Sequence, residues 1–234
     1  EIYQCDWSSD VCSSDLVLYK PKDIVSGDFY FIKEYANYTV IAASDCTGHG
    51  VPGAFMSMLG VTLLNEVFTY SSPKTAAEVL EEMRIKVKEA LNQTEYKTEA
   101  KDGMDMALCI IDKSKNQLQY SGAYNSLYLI RNNELTEYKA VRNPVGVHMK
   151  ELPFQNEIID YQPNDQFYIF SDGYADQVGG TLQQKFKIVE FRKLIHSISS
   201  LPMKEQVSKL ESTIQIWRGS TDQTDDMLVV GFKM

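Results

Sequence analysis

The run ASDCTGHGVPGAFMS occupies residues 43–57 and connects two predicted elements. Before it, the mostly apolar run Tyr38–Ser44 ends in polar residues, which is typical of a buried strand. On the other side, Pro52 favours the first turn of a helix that continues to about Tyr70. Because this helix is apolar on most faces, we expect it to be largely buried. The connecting loop therefore holds Asp45 at the end of a buried strand.

The residues outside this run predict one domain of mixed helices and strands. Thr75 and Glu78 form a capping box after Pro73, so a second, amphipathic helix begins there. Short apolar runs then predict strands, with Pro163–Asp165 as the turn of a hairpin, and two more helices precede the last strand. This order indicates an α+β fold in which packed sheets carry helices on their outer faces. The predicted strands are Tyr38–Ser44, Met104–Ile111, Leu118–Gly122, Ser126–Arg131, Leu135–Tyr138, Glu157–Tyr161, Gln166–Phe170 and Met227–Lys233.

The composition limits the class of protein. The chain has 234 residues, of which 44% are hydrophobic and 24% charged, so a folded domain is expected. Its formal net charge of −9 argues against nucleic acid as a partner, since phosphate backbones need clustered Lys and Arg. The longest apolar region, Val51–Phe68, is interrupted by polar residues, so no contact with a membrane is predicted. Cys46 and Cys109 lack metal-binding spacing and are expected to be buried, reduced thiols, which indicates a cytoplasmic location.

Residues 1–16, EIYQCDWSSDVCSSDL, differ in character from the rest of the chain. They contain no Lys or Arg, and Ser and Asp crowd between isolated hydrophobic residues. A signal peptide would have a basic start followed by an apolar run, and this segment has neither. Residues 6–16 resemble the conceptual translation of a sequencing-adapter oligonucleotide. We therefore predict that residues 1–16 are non-native and that residues 17–234 form an N-terminally truncated domain.

Four short acidic motifs lie at predicted ends of elements, where functional groups are usually placed. Asp45 and Asp172 end apolar strands, and Asp225 begins one together with Asp226. A carboxylate in such a position is partly desolvated, which is costly unless a cation or strong hydrogen-bond donors compensate. The motifs are Val25–Asp28, Ser44–Gly50, Ser171–Gly173 and Thr224–Asp226.

The number of these motifs decides between a turn and a metal site. Each motif taken alone is more often a turn, because Asp-Gly and Gly-Asp are ordinary turn dipeptides. Four of them at strand ends, without a cluster of arginines, indicate instead a site for hard divalent cations such as Mg²⁺ or Mn²⁺. Glycines flank three of the motifs and let the backbone approach an ion or a phosphate.

The motifs VSGDFY, ASDCTGHGVPGAFMS, SDGYADQ and TDDMLVVGF resemble those of the SpoIIE-type branch of the PPM-family protein phosphatases. They occur in the order and spacing of that family, and the resemblance covers Lys20–Met234. It implies a PPM-type β-sandwich of two mainly antiparallel sheets flanked by helix pairs, in agreement with the α+β fold predicted above. It also implies a metal-dependent protein serine/threonine phosphatase.

The resemblance implies roles for individual residues. Asp28 would bind the second of two metal ions, Mn²⁺ or Mg²⁺, and Asp45 would bridge both. Asp172 and Asp225 would complete the first metal site, and the main-chain carbonyl of Cys46 would be a further ligand. Asp28 and Asp45 are thereby the predicted catalytic residues.

Other residues of the motifs stay open at this point. Asp226 competes with Asp225, which we prefer because neighbouring residues of a strand point to opposite faces. His49 lies four residues after Asp45, whereas the catalytic histidine of eukaryotic relatives lies two residues after the bridging aspartate. A structural hydrogen bond is therefore at least as good an interpretation of His49 as proton donation. Asp102 and Asp105 have three possible roles: they can form a turn, support the metal ligands through hydrogen bonds, or bind a third metal ion.

The resemblance also implies a reaction and a substrate. A water activated by two metal ions would displace serine or threonine without a phosphoenzyme, and no CxxxxxR loop supports a cysteine phosphatase. Cys46 should therefore be replaceable by Ser. The implied partner is a phosphorylated regulatory protein of the anti-anti-sigma type, and a dimer is compatible with the sequence.

Two other functions remain as alternatives. The chain could be a metal-free pseudophosphatase that serves as an interaction module, although all four ligand positions hold Asp. It could also hydrolyse small phosphate esters, although it has no nucleotide-binding glycine motif.

Overall fold

The computed structural model describes residues 15–70, 74–93 and 102–234. In this part of the chain, two antiparallel sheets lie face to face, so the predicted α+β sandwich is confirmed. The strands are β1 (Asp15–Lys20), β2 (Phe29–Glu34), β3 (Thr39–Cys46), β4 (Gly103–Asp112), β5 (Gln117–Ala123), β6 (Leu127–Arg131), β7 (Glu134–Tyr138), β8 (Val145–Gly146), β9 (Glu157–Asp160), β10 (Gln166–Phe170), β11 (Val178–Gly179), β12 (Gln184–Lys185) and β13 (Met227–Lys233). The helices are α1 (Gly50–Tyr70), α2 (Ala76–Ala90), α3 (Gly173–Asp176), α4 (Ile188–Ile198) and α5 (Met203–Arg218).

The two large sheets differ in strand order. One sheet has the order β1-β13-β10-β6-β7, and the other has the order β2-β3-β4-β5-β9 with β8 paired to β4. The small strands β11 and β12 form a separate hairpin after α3. Sequence neighbours such as β5 and β6 therefore belong to different sheets, and the chain crosses between the layers several times.

Side-chain alternation along the strands builds three hydrophobic layers. In β3, Val40 and Ala42 face the layer under α1 and α2, whereas Ile41 and Ala43 point between the sheets. The strands of the other sheet alternate in the same way, with a third layer under α4 and α5. Because each apolar side chain that is fully buried contributes about 1.5–3 kcal/mol, these layers rather than local propensity hold the sandwich together.

Helix α2 begins where the capping box predicts. The hydroxyl of Thr75 accepts a hydrogen bond from the amide of Glu78, and the Glu78 carboxylate accepts one from the amide of Thr75. The buried face of the helix carries Val79, Met83 and Val87, in agreement with the helical period of the sequence. The helix is thus fixed at its start by local hydrogen bonds and along its length by packing.

The predicted hairpin between Glu157–Tyr161 and Gln166–Phe170 is wrong. Strand β9 pairs with β5, whereas β10 pairs with β6 and β13 in the other sheet. The turn that crosses between the sheets is held by the carboxylate of Asp165, which accepts hydrogen bonds from Arg131 Nε (2.9 Å) and the amide of Gln162 (2.8 Å). A crossing and a hairpin need the same turn residues, so the local pattern does not distinguish them.

Helix α1 is less buried than its apolar sequence predicts. Leu64 and Val67 pack inward against the first layer, but Phe55 and Met58 are exposed. Over Gly50–Thr69 the helix is long and apolar enough to span a membrane by length and composition, a test that core helices also pass. That stretch is 33% buried, because the sheet and α2 cover one side of the helix.

The N-terminal segment predicted to be non-native lies mostly outside the described residues. Its last two residues, Asp15 and Leu16, belong to β1 and pair with Phe232 and Gly231 of β13. Leu16 is buried in the layer under α4 and α5. A strand at this position was not predicted from the sequence, and the origin of residues 1–16 stays a prediction.

Candidate metal centre

The four predicted aspartate ligands lie at strand ends that adjoin one another. Asp28 directly precedes β2 and Asp45 is the penultimate residue of β3; because Phe29 of β2 pairs with the residue before Asp45, the two carboxylates are neighbours. Asp172 follows β10 and Asp225 lies two residues before β13, and these two strands also pair with each other. The fold therefore gathers two acidic strand ends from each sheet, and we call this place the acidic cleft.

Ser171 connects the two sheets at the acidic cleft. Its hydroxyl donates a hydrogen bond to Asp28 Oδ2 over 2.5 Å and accepts one from the amide of Leu228 over 3.0 Å. Its own amide donates to the carbonyl of Leu228 over 3.0 Å. Asp28, carried by one sheet, is thus fixed against β10 and β13 of the other. Sequence analysis did not assign this role to Ser171, although the serine lies inside an acidic motif.

The carboxyl group of Asp28 is in an unfavourable position for a negative charge. Burial is the main cause that raises its pKa from 3.8 to about 8, and the hydrogen bond from Ser171 opposes this shift. The charges of Asp226, Asp225 and Asp172 raise the pKa further. A carboxyl with such a pKa is protonated at neutral pH unless a cation takes the place of the proton.

The pKa of the Asp45 carboxyl is raised for the same reasons as that of Asp28. Burial is again the main cause that raises its pKa from 3.8 to about 9, followed by the charges of Asp28, Asp172, Asp105 and Asp225. The pKa of Asp105, which lies opposite in the register of β3 and β4, is raised to about 7, first by burial and then by Asp172. For Asp172 burial also raises the pKa, and a hydrogen bond with Asp45 lowers it.

These carboxylates fit divalent cations in an open site rather than a closed cage. Within residues 15–70, 74–93 and 102–234, no three carboxyl, thiol or imidazole groups converge closely enough to hold one ion by themselves. Mg²⁺ commonly takes one or two carboxylates and completes its shell with other oxygens and water. Such ions would compensate the negative charges of the acidic cleft. The carboxylate oxygens of the cleft are also the ligands that these ions prefer.

Backbone contacts bring the carbonyl of Cys46 to the acidic cleft. A Cβ atom at Gly27 would lie 3.3 Å from the Cys46 carbonyl oxygen and 2.4 Å from that of Gly48, so only glycine fits beside this loop. Gly48 itself has a φ of +86°, which favours glycine. The loop after β3 therefore packs on the residue that precedes Asp28, and it places a main-chain oxygen near two predicted ligands.

The two described thiols are poorly suited to nucleophilic chemistry. Cys46 and Cys109 are both free and buried, as predicted. Burial raises the pKa of both thiols well above the ordinary value, and for Cys46 the charge of Asp45 adds to this effect. A thiol that stays protonated at neutral pH is a poor nucleophile.

Asp226 is placed differently from its neighbour Asp225. One of its carboxylate oxygens accepts a hydrogen bond from the amide of Lys22 and the other from the amide of Gly27, each over 2.7 Å. Asp226 is buried, so it anchors the loop between β1 and β2. Both carboxylate oxygens of Asp226 are therefore occupied by hydrogen bonds. The charge of Asp225, in contrast, raises the pKa of the predicted ligands Asp28 and Asp45. The assignment of Asp225 as a metal ligand stays a prediction.

Replacing Asp226 with Ala will lower the free energy of unfolding by about 3 kcal/mol, because two charge-assisted hydrogen bonds to backbone amides are lost. Urea unfolding in EDTA measures this loss. Asp225→Ala is the comparison variant, and we expect it to change the free energy by less than about 1 kcal/mol, since it removes one hydrogen bond, from the adjacent amide of Asp226, together with a repelling charge. Equal losses in the two variants would contradict the anchoring role of Asp226.

The remaining candidates are placed as follows. His49 is exposed, and its ring nitrogens contact Asp23 and Lys22. Asp102 directly precedes β4, and Asp105 lies in β4 beside Asp45. The structure thus gives His49 a structural hydrogen bond, which is one of the two interpretations that the sequence allows.

Comparison with solved structures defines the class of protein. The SiaA-PP2C domain of Pseudomonas aeruginosa is 30% identical, with a TM-score of 0.84 and coverage of 94% of this chain and 84% of that one. The PP2C phosphatase domain with a regulatory fragment of SpoIIE from Bacillus subtilis is 19% identical (TM-score 0.73), with coverage of 94% of this chain and 63% of that one. The RsbU and RsbW domains of a Mycobacterium tuberculosis protein are 20% identical (TM-score 0.71), with coverage of 94% and 59%. Fold and acidic cleft together define a PP2C-type phosphatase domain, a class that depends on metal ions.

The chain belongs to the SpoIIE family, since the family model described as Stage II sporulation protein E matches residues 36–234. The chain spans less than two thirds of the second and third structures compared above. No curated protein sequence matches it significantly.

Proposed function

We propose that this chain is a metal-dependent protein serine/threonine phosphatase that dephosphorylates a signalling partner protein. The observation that carries the proposal is the acidic cleft, in which the buried Asp28 and the half-buried Asp45 adjoin Asp172 and Asp225 and have raised pKa values. Carboxyl groups gathered in this way must stay protonated, at a cost in stability, unless cations compensate their charge. Membership of the SpoIIE family adds independent support.

Two Mn²⁺ or Mg²⁺ ions would be held by Asp28, Asp45, Asp172, Asp225 and the main-chain carbonyl of Cys46. When bound, these ions supply the Lewis acidity that activates water and neutralises phosphoryl oxygens. The role of the protein residues is to hold the ions in position at the ends of the strands. The charges of predicted ligands from both sheets, Asp28 on one and Asp172 and Asp225 on the other, raise the pKa of Asp45.

The shape of the acidic cleft favours a substrate carried on a protein. Asp172 keeps part of its side chain exposed, so the cleft opens to the surface and a phosphorylated side chain of a partner can reach it. Ser171 keeps Asp28 in place beneath this opening. A small phosphate ester would gain few contacts in so open a site, which makes it the weaker candidate.

The partner we propose is a phosphorylated regulator of the anti-anti-sigma type in the cytoplasm. Structural neighbours with RsbU and RsbW domains support a regulatory protein as the substrate. Two reduced, buried thiols, Cys46 and Cys109, agree with a reducing compartment. The competing proposal is a catalytically silent interaction module, and the assay described next separates the two.

With Mn²⁺, the chain will release phosphate from a phosphoserine peptide, and Cys46→Ser will retain at least about half of this rate. A serine fits there because the hydroxyls of Ser44 and Ser57 lie near the Cys46 thiol and both lower its pKa, so the side chain already has polar neighbours. The measurement is phosphate release with and without EDTA, beside p-nitrophenyl phosphate as the small ester. Absence of turnover in a folded chain that binds Mn²⁺ would contradict the enzymatic proposal, and a strong preference for the small ester would contradict the protein substrate.

A further inference from the structure

Gln177 is buried beside the loop that carries Asp225 and has no role in the function proposed above. It is the last residue of the SDGYADQ motif, and it directly follows the short helix α3, five residues after Asp172. Its side chain is 0% exposed. A side-chain amide has two donor hydrogens and an acceptor oxygen, so its burial is costly unless each of them has a partner.

The partners of the Gln177 amide lie mainly in the loop before Asp225. Its Oε1 atom accepts a hydrogen bond from the amide of Thr224, and its Nε2 atom donates one to the carbonyl of Asp222, each over 3.0 Å. Nε2 also donates to the carbonyl of Val178 over 2.9 Å. The amide of Val178 in turn donates to the hydroxyl of Thr224 over 3.1 Å. Both donors and the acceptor of Gln177 are thus paired, and they hold residues 222–224 in place.

Asp225 depends on such contacts because it lies outside the regular secondary structure. Residues 222–226 lie between α5 and β13 and belong to neither a helix nor a strand. Asp225 directly follows Thr224, so the hydrogen bonds of Gln177 act one residue away from a predicted ligand. The position of Asp225 is therefore determined by side-chain contacts rather than by a backbone ladder.

The segment that carries Gln177 also carries Asp172. Only the four residues of α3 separate the two. A Cβ atom at Gly173 would overlap the carbonyl oxygen of Asp226 and would lie 3.4 Å from the Cβ atom of Asp225, so α3 begins in direct contact with the loop. Asp172 and Asp225 are thus tied together at two places, by close packing at Gly173 and by the hydrogen bonds of Gln177.

We propose that Gln177 is a positioning residue of the metal centre, which holds Asp225 beside Asp172 so that both carboxylates can bind one cation. This inference rests on the proposed function. Two neighbouring carboxylates repel each other, so a loop that is fixed in advance lowers the cost of bringing them together. Ligands must be held within about 0.5 Å of their productive positions, and loss of the groups that support them costs about 10–100-fold in metal affinity.

Gln177→Met will raise the dissociation constant of Mn²⁺ about ten-fold in calorimetric titration, because methionine is similar in length but makes none of these hydrogen bonds. The loss is partial, since Gln223 Nε2 also fastens the loop by donating to the carbonyls of Lys20 and Asp225 over 2.8 Å each. Phosphate release will fall at limiting Mn²⁺, and at saturating Mn²⁺ it will return to within about two-fold of the rate of the unchanged chain.

Gln206→Met is the matched control. Gln206 is also 0% exposed, accepts a hydrogen bond from the hydroxyl of Tyr168 and donates one each to the carbonyl of Leu201 and to Gln166 Oε1. Gln166 begins β10, and the acidic cleft lies at the other end of that strand. Both variants should lower the melting temperature in EDTA, and only Gln177→Met should weaken Mn²⁺ binding. Equal losses of Mn²⁺ affinity would overturn the proposal, since general loosening of the fold would then explain them.

Asp225→Ala tests whether Gln177 acts through Asp225. In this background Gln177→Met will not weaken Mn²⁺ binding further, although it will still lower the melting temperature. A loss of Mn²⁺ affinity that persists in this background would overturn the proposal. If Gln177→Met does not fold, Thr224→Val replaces it, because it removes only the hydroxyl that accepts from the amide of Val178. It should raise the dissociation constant about three-fold, and an unchanged constant would overturn the proposal.

Calorimetry separates this inference from the proposed function. If the chain binds Mn²⁺ but has no turnover, the proposed function fails, and the comparison of Gln177→Met with Gln206→Met still decides the role of Gln177. Weaker Mn²⁺ binding in Gln177→Met alone supports the positioning role. Equal binding in Gln177→Met and the unchanged chain, or no Mn²⁺ binding by the unchanged chain, overturns it.

Discussion

Asp45→Asn will abolish metal-dependent phosphate release and will raise the melting temperature of the metal-free chain. Both effects have one cause, because Asp45 is the carboxyl on which the most predicted ligands act: Asp28, Asp172 and Asp225 all raise its pKa, after burial. An amide of the same shape removes the charge that a divalent cation needs. It also removes the cost of keeping this buried carboxyl protonated when no cation is bound.

The expected sizes of these effects are large. Metal ions contribute several kcal/mol to such reactions, so loss of a predicted metal ligand should reduce turnover by at least about a thousand-fold. In EDTA, the stability gain from replacing one buried carboxyl of raised pKa by an amide should be about 1–3 kcal/mol, which is roughly 3–10 °C in melting temperature for a chain of this size. Thermal melting by circular dichroism and phosphate release measure the two effects on the same sample.

Asp112→Asn is the matched control for this variant. Asp112 lies at the other end of β4, and hydrogen bonds from Ser114 and Lys115 lower its pKa to about 2. Its charge is therefore favourable, and removing it should not raise the melting temperature or reduce turnover. An Asp45→Asn chain that melts at or below the temperature of the unchanged chain in EDTA would contradict the electrostatic account of the cleft. Retained turnover would contradict the role of Asp45 as a ligand.

Much of the fold follows from local sequence patterns. The capping box at Thr75 and Glu78 places the start of α2, and the apolar runs Gln166–Phe170 and Met227–Lys233 match their strands in the structure. These elements are predictable because period, turn residues and caps act within a few positions of the chain. The α+β class follows from their order alone.

Pairing between distant strands is what local patterns do not contain. The turn after β9 has the residues of a hairpin turn. In the structure, however, Asp165 binds Arg131, which is 34 positions away, and the chain continues in the other sheet. Phe55 and Met58 are apolar but exposed, since the sequence does not tell which faces of α1 its neighbours cover. These differences come from tertiary packing, which overrides a local preference.

The candidate site was likewise predictable from the sequence only in part. The acidic motifs point to Asp28, Asp45, Asp172 and Asp225, and the structure brings the motifs together at adjoining strand ends. The anchoring of the loop by Asp226 was not predictable, because its amide partner on Lys22 is 204 positions away in sequence. Two neighbouring aspartates look alike in sequence and take different roles only in the folded chain.

The metal-free chain will lose stability as the pH rises, and Mn²⁺ will restore it. The pKa values of Asp105, Asp28 and Asp45 are raised to about 7, 8 and 9, in each case chiefly by burial. A carboxyl whose pKa is higher in the folded than in the unfolded chain stabilises the fold fully below the unfolded pKa, and this contribution is lost as the pH rises through the folded pKa. Each such carboxyl costs up to roughly 1.4 kcal/mol per pH unit within that window. Asp15, raised to about 6 by burial and by Glu34, adds to the loss at the lower end.

Metal binding has the opposite dependence on pH, because a cation must displace the protons of Asp28 and Asp45. A cation at about 100 times its dissociation constant stabilises the folded chain by about 2.7 kcal/mol. The rise in melting temperature on adding Mn²⁺ should therefore be larger near pH 8 than near pH 6, and calorimetry in two buffers should detect protons released on binding. In Asp45→Asn, the melting temperature in EDTA should depend less on pH. A melting temperature in EDTA that stays constant between about pH 6 and about pH 8 would show that the carboxyls are ionised without a cation. The acidic cleft would then need no ion to compensate its charge, and the physical basis for placing metals there would be lost.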